Sequence, residues 1–445
     1  MKIASTLGLL LALLAPQAAP SKPNVLMIAI DDLRDWVRFL GYEQVRTPNL
    51  DRLAGRGTRF TRSYCAAPVC NPSRTALMSG LLPSTSGVYD NGTDWRKSIP
   101  DVVTLPQHLR ANGYFAAGCG KIYHEAYKRD ADWDEYLRNE GGDPKPKGGN
   151  DGVGGIKFAP LDCKDEDLRD YRIVSYAIEQ LGRKHDKPFF LSCGIHKPHM
   201  PWNVPKKYFD LYPLDTIQLP KIKEKDLDDV PAAGVKMAKP ARDHADILKS
   251  GRWKEAVQAY LATITYMDFL VGRLMDALDK SAYKDNTIVV LWSDHGWHLG
   301  EKEHWRKFAL WEEATRAPLV WIVPGVTKPG TACARTVDLM SVYPTLADLC
   351  GIPIPKHAEG VSLRPLLENP EAAWDRPART TYLYNNHAVR TEKWRYIRYN
   401  DGGEELYDET ADPLEWTNLA GKPEHAAVKA ELGRWLPTVN KGKEK

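Results

Sequence analysis

The chain has no excess of charge of one sign: 61 basic residues face 58 acidic ones, for a net charge of +3. Nucleic-acid binders usually carry a basic surplus, so that class has no support. Cysteine is scarce, with seven in 445 residues and no C-x-x-C pair. That excludes a disulfide scaffold and a zinc ribbon. The odd count leaves at least one thiol unpaired. Cys333 and Cys350 are candidates for a pair, whereas Cys119 and Cys193 lie in apolar runs and read as buried thiols. No repeat with a period of about 20–50 residues is visible, so solenoids and propellers have no support. Beyond the N-terminus, no segment reaches the roughly 18 apolar residues of a membrane span.

What is present is ordinary globular material, 43% hydrophobic and 27% charged, which rules out a disordered or fibrous chain. At about 150 residues per domain, the length allows two or three domains. Trp and Tyr are plentiful, at 14 and 20; their flat faces with a polar edge serve cores and carbohydrate surfaces alike. Residues 1–20 read as a signal peptide. Lys2 supplies the positive start, Leu7–Leu14 the apolar stretch, and Ala15, Ala18 and Ala19 the small residues for cleavage. The stretch is too short to cross about 30 Å of hydrocarbon. No cysteine follows it to carry a lipid. The expected location is outside the cytoplasm, periplasmic or secreted, with no membrane partner.

Four apolar runs share one design. Asn24–Ile30 ends at Asp31 and Asp32; Tyr114–Cys119 leads to Lys121 and His124; Pro188–Cys193 leads to His196 and His199; Thr287–Trp292 leads to Asp294 and His295. Continuous apolar runs of this length predict buried parallel strands. Polar residues then gather at one sheet edge, where open α/β sheets bind ligands. Trp253–Leu278 has helical apolar spacing, and Tyr343–Leu349 reads as a helix stopped at Gly351. Segments Gly141–Gly155 and Lys221–Arg242, rich in Gly, Pro, Lys and Asp, read as surface connections or as walls of a substrate cleft. From about Lys356, short strand-like runs at 380–384, 388–391, 394–399 and 405–407 predict a small antiparallel sheet, followed by a helix near 426–436.

Residues 70–80 read Cys-Asn-Pro-Ser-Arg-Thr-Ala-Leu-Met-Ser-Gly. This resembles the signature of the type I sulfatases, C-x-P-S-R-x-x-x-[LM]-x-G, and matches all its defined positions. The resemblance implies an α/β fold: an alkaline-phosphatase-like mixed β-sheet sandwiched by helices, with a smaller C-terminal antiparallel-sheet subdomain. It sets a catalytic domain at 21–355 and a C-terminal subdomain at 356–445. It also implies that Cys70 is oxidised to Cα-formylglycine by a maturation enzyme, formylglycine-generating or anaerobic. The hydrated aldehyde attacks sulfur with one hydroxyl; the second then expels sulfate, an exit that a serine ester lacks. Asn71, where smaller residues are commoner, is a mild departure.

The same resemblance assigns the remaining site. Asp31, Asp32, Asp294 and His295, with the nucleophile at Cys70, would hold a divalent cation, usually Ca²⁺, for which carboxylate oxygens are suited. Arg74 lies one helical turn after Cys70; its guanidinium would hold the hydrated nucleophile and help the metal site. Lys121 and His124 fall in Gly-Lys-x-x-His; Lys121 would bind sulfate and His124 would orient or deprotonate the nucleophile. In His-Lys-Pro-His, His199 would be the general acid to the leaving alcohol, together with Lys307, and His196 stands behind it. The Asp-Asp-Leu-Arg, His-Lys-Pro-His and Ser-Asp-His-Gly-Trp motifs, and the 405–419 run, look most like the iduronate-2-sulfatase branch. Arg34 then matches an arginine that can meet a substrate carboxylate. Asn91, Trp95, Trp297 and His387 are further substrate-side candidates. The expected protein is a sulfatase acting on a sulfated glycan, as a monomer or homodimer. Phosphonate monoester or phosphodiester hydrolysis, choline-sulfatase-like action on a small ester, and a non-catalytic glycan binder are the competing readings.

Overall fold

The computed structural model describes residues 22–442, apart from 125, 126 and 150. The expected signal peptide at 1–20 lies outside the described residues. Each of the four apolar runs is a strand. They are β1 (Asn24–Asp31), β3 (Phe115–Gly120), β5 (Phe189–Pro198) and β6 (Thr287–Ser293), and β2 is Thr58–Tyr64. The short strand β4 (Glu135–Tyr136), with β7 (Leu319–Ile322) and β8 (Thr331–Asp338), completes an eight-stranded sheet in the order β8-β2-β7-β6-β1-β5-β3-β4. Only β7 runs against its neighbours, pairing antiparallel with both β6 and β2. The four strands that carry the polar motifs lie side by side and parallel, so their C-terminal ends open on one edge.

Both faces of the sheet are covered, which explains why these strands lack polar alternation. In β1, Leu26, Ile28 and Ile30 enter one core and Val25, Met27 and Ala29 the other. The first core takes the long helix Trp253–Lys280 and the helix Arg169–Gly182. The second takes the helix Val342–Leu349 and part of the helix α1 (Cys70–Ser79). Sequence spacing thus locates the long helix to within two residues of its end.

The C-terminal residues form a four-stranded antiparallel sheet, β9 (Ala378–Thr381), β10 (His387–Arg390), β11 (Trp394–Arg398) and β12 (Glu404–Asp408). The helix that follows is Ala426–Gly433. Arg395 of β11 is fully buried and pairs with Glu312, Glu409 and Glu415, tying this sheet to the loop before β7. Two expectations need correction. The segment Lys221–Arg242 is not all connection: Ala232–Ala238 is a helix, because Met237 and Ala238 find an apolar cluster to enter. Cys333 and Cys350 do not pair; all seven cysteines are free thiols. Among the described residues, no helix is long and apolar enough to cross a membrane.

Gly120 and Gly194 face each other where β3 and β5 pass. Gly120 has φ +69°, and a Cβ there would lie 1.9 Å from the Gly194 carbonyl oxygen. Only glycine allows this approach, and Lys121 follows directly. Gly120→Ala is expected to lower the melting temperature by several degrees and to impair activity, since backbone movement displaces Lys121. An unchanged melting curve and unchanged turnover would show that the strands have room to part.

Candidate active site

The strand ends place the acids. Asp31 closes β1, and Asp32 adopts a left-handed conformation with φ 61°. Two bonds hold that unusual backbone: the Asp32 N–H donates to Asp294 Oδ1 at 3.0 Å, and the Tyr260 hydroxyl donates to the Asp32 carbonyl at 2.8 Å. Asp294 and His295 follow β6. The first turn of α1 brings Cys70 to them, and the Ser73 hydroxyl donates to the Asp294 carbonyl at 2.6 Å. Ligand atoms of Asp31, Asp32, Cys70, Asp294 and His295 all lie within 4.8 Å of one another, and all five residues are buried. Cys70 Sγ is 3.4 Å from His295 Nε2 and 3.7 Å from Asp32 Oδ1.

Three buried carboxylates need matching positive charge. Arg74 bridges two of them, with Nε 2.8 Å from Asp294 Oδ2 and Nη2 3.2 Å from Asp31 Oδ1. The Lys121 ammonium pairs with Asp31. Lys307 Nζ donates to both Asp32 oxygens, at 2.7 and 3.0 Å, and to Cys70 Sγ at 3.2 Å. Burial pushes Asp31 up, but Lys121, His199, Arg74 and Lys307 outweigh it and hold the carboxyl well below the usual range. Asp294, pushed up by burial, stays above its ordinary value despite Arg74. Burial opposes the Lys307 charge, yet Asp32 and its neighbours raise its pKa, so it keeps its proton. Burial pushes the Cys70 thiol up, so a plain thiolate nucleophile has no support here.

The donor set suits a hard divalent cation, with three carboxylates from two adjacent strand ends. The three carboxylates and three cations cancel. A divalent ion leaves the cluster net positive, and that field attracts an anion.

His199 stands at the rim, its side chain 39% exposed, with Nε2 3.8 Å from Asp32 Oδ2 and Nδ1 2.6 Å from the Met200 carbonyl. Burial of the ring lowers its pKa to about 4. His196 Nδ1 bonds Asp170 Oδ1 at 2.9 Å. His124 is half-buried, its ring 5.8 Å from that of Tyr127. Asn91 lies beside Cys70, its Oδ1 accepting from the Asn71 N–H at 3.0 Å. Arg34 is buried and already paired, with Nη1 2.7 Å from Glu301 and its guanidinium over Trp36. Trp297 is buried under Lys307, whose Nζ is 5.2 Å from the ring centre. Trp95 and His387 have no exposed surface: Trp95 stacks on Tyr123, and His387 Nδ1 meets the Thr381 hydroxyl at 3.0 Å. These two support the walls and present no face to a ligand.

Sequence reasoning missed the residues that hold this set in place. Asp170 accepts the backbone N–H groups of His196 and Lys197 at 3.0 and 2.8 Å, fixing the loop that carries His199. His304 fixes Lys307: its Nε2 meets the Lys307 carbonyl at 2.6 Å and its Nδ1 the Ala238 carbonyl at 2.7 Å. Asn71 pins the 90–93 loop, donating to the carbonyls of Asp90 and Thr93 at 2.9 and 2.7 Å. Most of these bonds join residues 19 or more positions apart, and all run to backbone groups, so no residue pattern announces them.

Comparison with known proteins places this geometry. The sulfatase family profile matches residues 23–352, and a profile for the C-terminal part of N-sulphoglucosamine sulphohydrolase matches residues 300–442. The chain belongs to the sulfatase family, whose members are sulfuric ester hydrolases. It is 39% identical to a sulfatase of Formosa agariphila, over 95% of this chain and 88% of that protein. It is 31% identical to iduronate 2-sulfatase of Mus musculus, over 75% of this chain and 69% of that one. A solved structure of a protein bound to its substrate D-glucosamine-2-N,6-O-disulfate superposes with a TM-score of 0.77 at 25% identity, covering 93% of this chain and 96% of the other.

Arg74→Lys keeps the charge but loses the fork that spans Asp31 and Asp294. Breaking a buried pair costs about 3–5 kcal/mol. The variant is expected to melt several degrees lower and to lose about 10²-fold or more in turnover. Wild-type turnover in the lysine variant would show that charge alone suffices.

Proposed function

We propose that the protein is an exported sulfatase that removes sulfate from a sulfated polysaccharide or its oligosaccharides, using a formylglycine made from Cys70 and a bound Ca²⁺. Its catalytic unit spans residues 21–355 and its C-terminal subdomain 356–445. One observation carries the reading: Cys70 heads a helix at the centre of three buried carboxylates and three buried cations. Export rests on the sequence of residues 1–20.

Asp31, Asp32, Asp294 and His295 would hold the cation. It supplies positive charge to a sulfate oxygen. Formylglycine supplies a hydrated aldehyde, one hydroxyl to attack sulfur and one to let sulfate leave. The residues of this chain do the rest. Arg74 fixes two of the ligand carboxylates and holds the hydrated nucleophile. Lys121 and Lys307 present ammonium groups to the sulfate oxygens, where developing charge needs them. His124 orients or deprotonates the nucleophile. His199 stands on the open side, with Nδ1 engaged by Met200 and Nε2 available to the leaving alcohol. Lys307 retains its proton. It and His199 are the two groups placed to protonate the leaving alcohol. Arg34, Asn91, His196 and Trp297 shape the substrate side, and a formylglycine-generating or anaerobic enzyme is the maturation partner. The mature protein acts as a monomer or homodimer.

Mass spectrometry of the Cys70 peptide, paired with sulfate release from a glycan panel, tests the reading. Thiol-to-aldehyde conversion with free sulfate from one glycan supports it. Full conversion with turnover of phosphate diesters and no sulfate release would replace it with phosphonate monoester or phosphodiester hydrolysis. His199→Ala is expected to cost about 10²–10⁴-fold on a glycan sulfate, whose alcohol needs a proton to leave. The loss on 4-nitrophenyl sulfate, a good leaving group, should be much smaller. Equal losses on both would remove His199 from leaving-group protonation.

A further inference from the structure

We infer that a cleft beside Lys307 binds a second sugar ring of the substrate, one that carries its own carboxylate or sulfate. This rests on the sulfatase reading and names what lies next to the sulfated ring. The cleft has a volume of about 460 Å³, within the usual range for ligand sites. Its walls come from three places. Gly154 and Gly155 belong to the first polar segment singled out in the sequence; Lys239 and Arg242 belong to the second; Arg306 and Phe308 flank Lys307 itself. Two segments far apart in sequence, with no part in the chemistry described above, thus converge on the loop that carries a catalytic lysine.

Phe308 joins the cleft to the reaction centre. The residue lines the cleft, and its ring centre lies 5.7 Å from Lys307 Nζ. An aromatic face suits the apolar side of a pyranose ring. Arg306 and Asp243 neutralise each other at 2.6 Å. That leaves Lys239 and Arg242 against Asp246, an excess of one positive charge. Lys239 and Arg242 are exposed and make no ion pair among the described residues. An anionic sugar supplies the missing partner. The local backbone is also held off its relaxed state: Lys239, Arg306 and Phe308 have φ of 53°, 78° and 81°. Side-chain-bearing residues adopt such angles at a cost, and they cluster where ligands are held. Gly155 leaves room for the Arg306–Asp243 pair: a Cβ there would lie 1.8 Å from Arg306 Nη2 and displace it. His304, bonded to the carbonyls of both Ala238 and Lys307, ties the cleft wall to the catalytic loop.

The test is the double variant Lys239→Ala, Arg242→Ala, neither residue being part of the catalytic set. It is assayed on sulfated tetrasaccharides from heparin, chondroitin sulfate and ulvan. The reference is 4-nitrophenyl sulfate or the matching sulfated monosaccharide, whichever turns over faster. On the tetrasaccharide that wild type hydrolyses, kcat/KM is expected to fall about tenfold or more, mainly through KM, with a weaker dependence on salt. Turnover of the small reference ester should be unchanged. Equal effects on large and small substrates, or none on either, overturn the subsite. So does a wild-type enzyme that hydrolyses the small esters but no tetrasaccharide, and the sulfatase reading then stands. A fully converted enzyme that hydrolyses no sulfate ester overturns that reading and the subsite with it.

Discussion

Everything around the site follows from the burial of three carboxylates at adjacent strand ends. Isolated in a protein interior, each such charge is far too costly to keep. Arg74 resolves two of them with one planar fork, and it can do so only if α1 lies across the ends of β1 and β6. The position of Cys70, one turn earlier, is then set by the need to neutralise Asp31 and Asp294. Lys121 and Lys307 complete the balance from opposite sides, each delivered by a backbone with its own constraint. Lys121 follows the close pass of Gly120 against Gly194, and Lys307 sits in a loop with left-handed residues on both sides. Charge balance and reactivity are thus the same arrangement: two of the three cations that make the buried carboxylates tolerable, Lys121 and Lys307, are those proposed to meet sulfate.

The sheet and the site were legible in the sequence to different depths. The four strand runs stand out because burial on both faces removes polar residues from them, and each ends in the groups that chemistry needs. The long helix reads equally well, since its buried face repeats over 28 residues. The helix Ala232–Ala238 did not, because seven residues between Pro231 and Lys239 offer too little periodicity. Within the site, Cys70, Arg74, Asp31, Asp32 and Asp294 come together as their motifs imply. Trp95 and His387 looked equally suited to a substrate and instead fill walls; a residue type cannot reveal whether its ring faces in or out. His304 and Asp170 went unnoticed because they act on the backbone carbonyl of Lys307 and the backbone N–H groups of His196 and Lys197, relations with no sequence spacing.

The C-terminal sheet is held by the same logic as the site. Arg395, fully buried, gathers Glu312, Glu409 and Glu415, and Arg390 adds a second guanidinium to Glu312 and Glu409. Glu312 opens the short helix Glu312–Thr315, between Lys307 and β7. The small sheet therefore grips the segment that follows Lys307, and its removal would free that segment as well as expose apolar surface.

The placement of Cys70 also orders events in the life of the molecule. In the folded chain the residue is 1% exposed, locked into the first turn of a helix whose ten residues are all buried. No second enzyme can close its own active site around such a side chain. The proposed conversion of Cys70 would therefore have to reach the segment while it is still extended, on the nascent or newly released polypeptide. Synthesis, modification and folding would then form a race, with the fold closing the door on a chain that folds first.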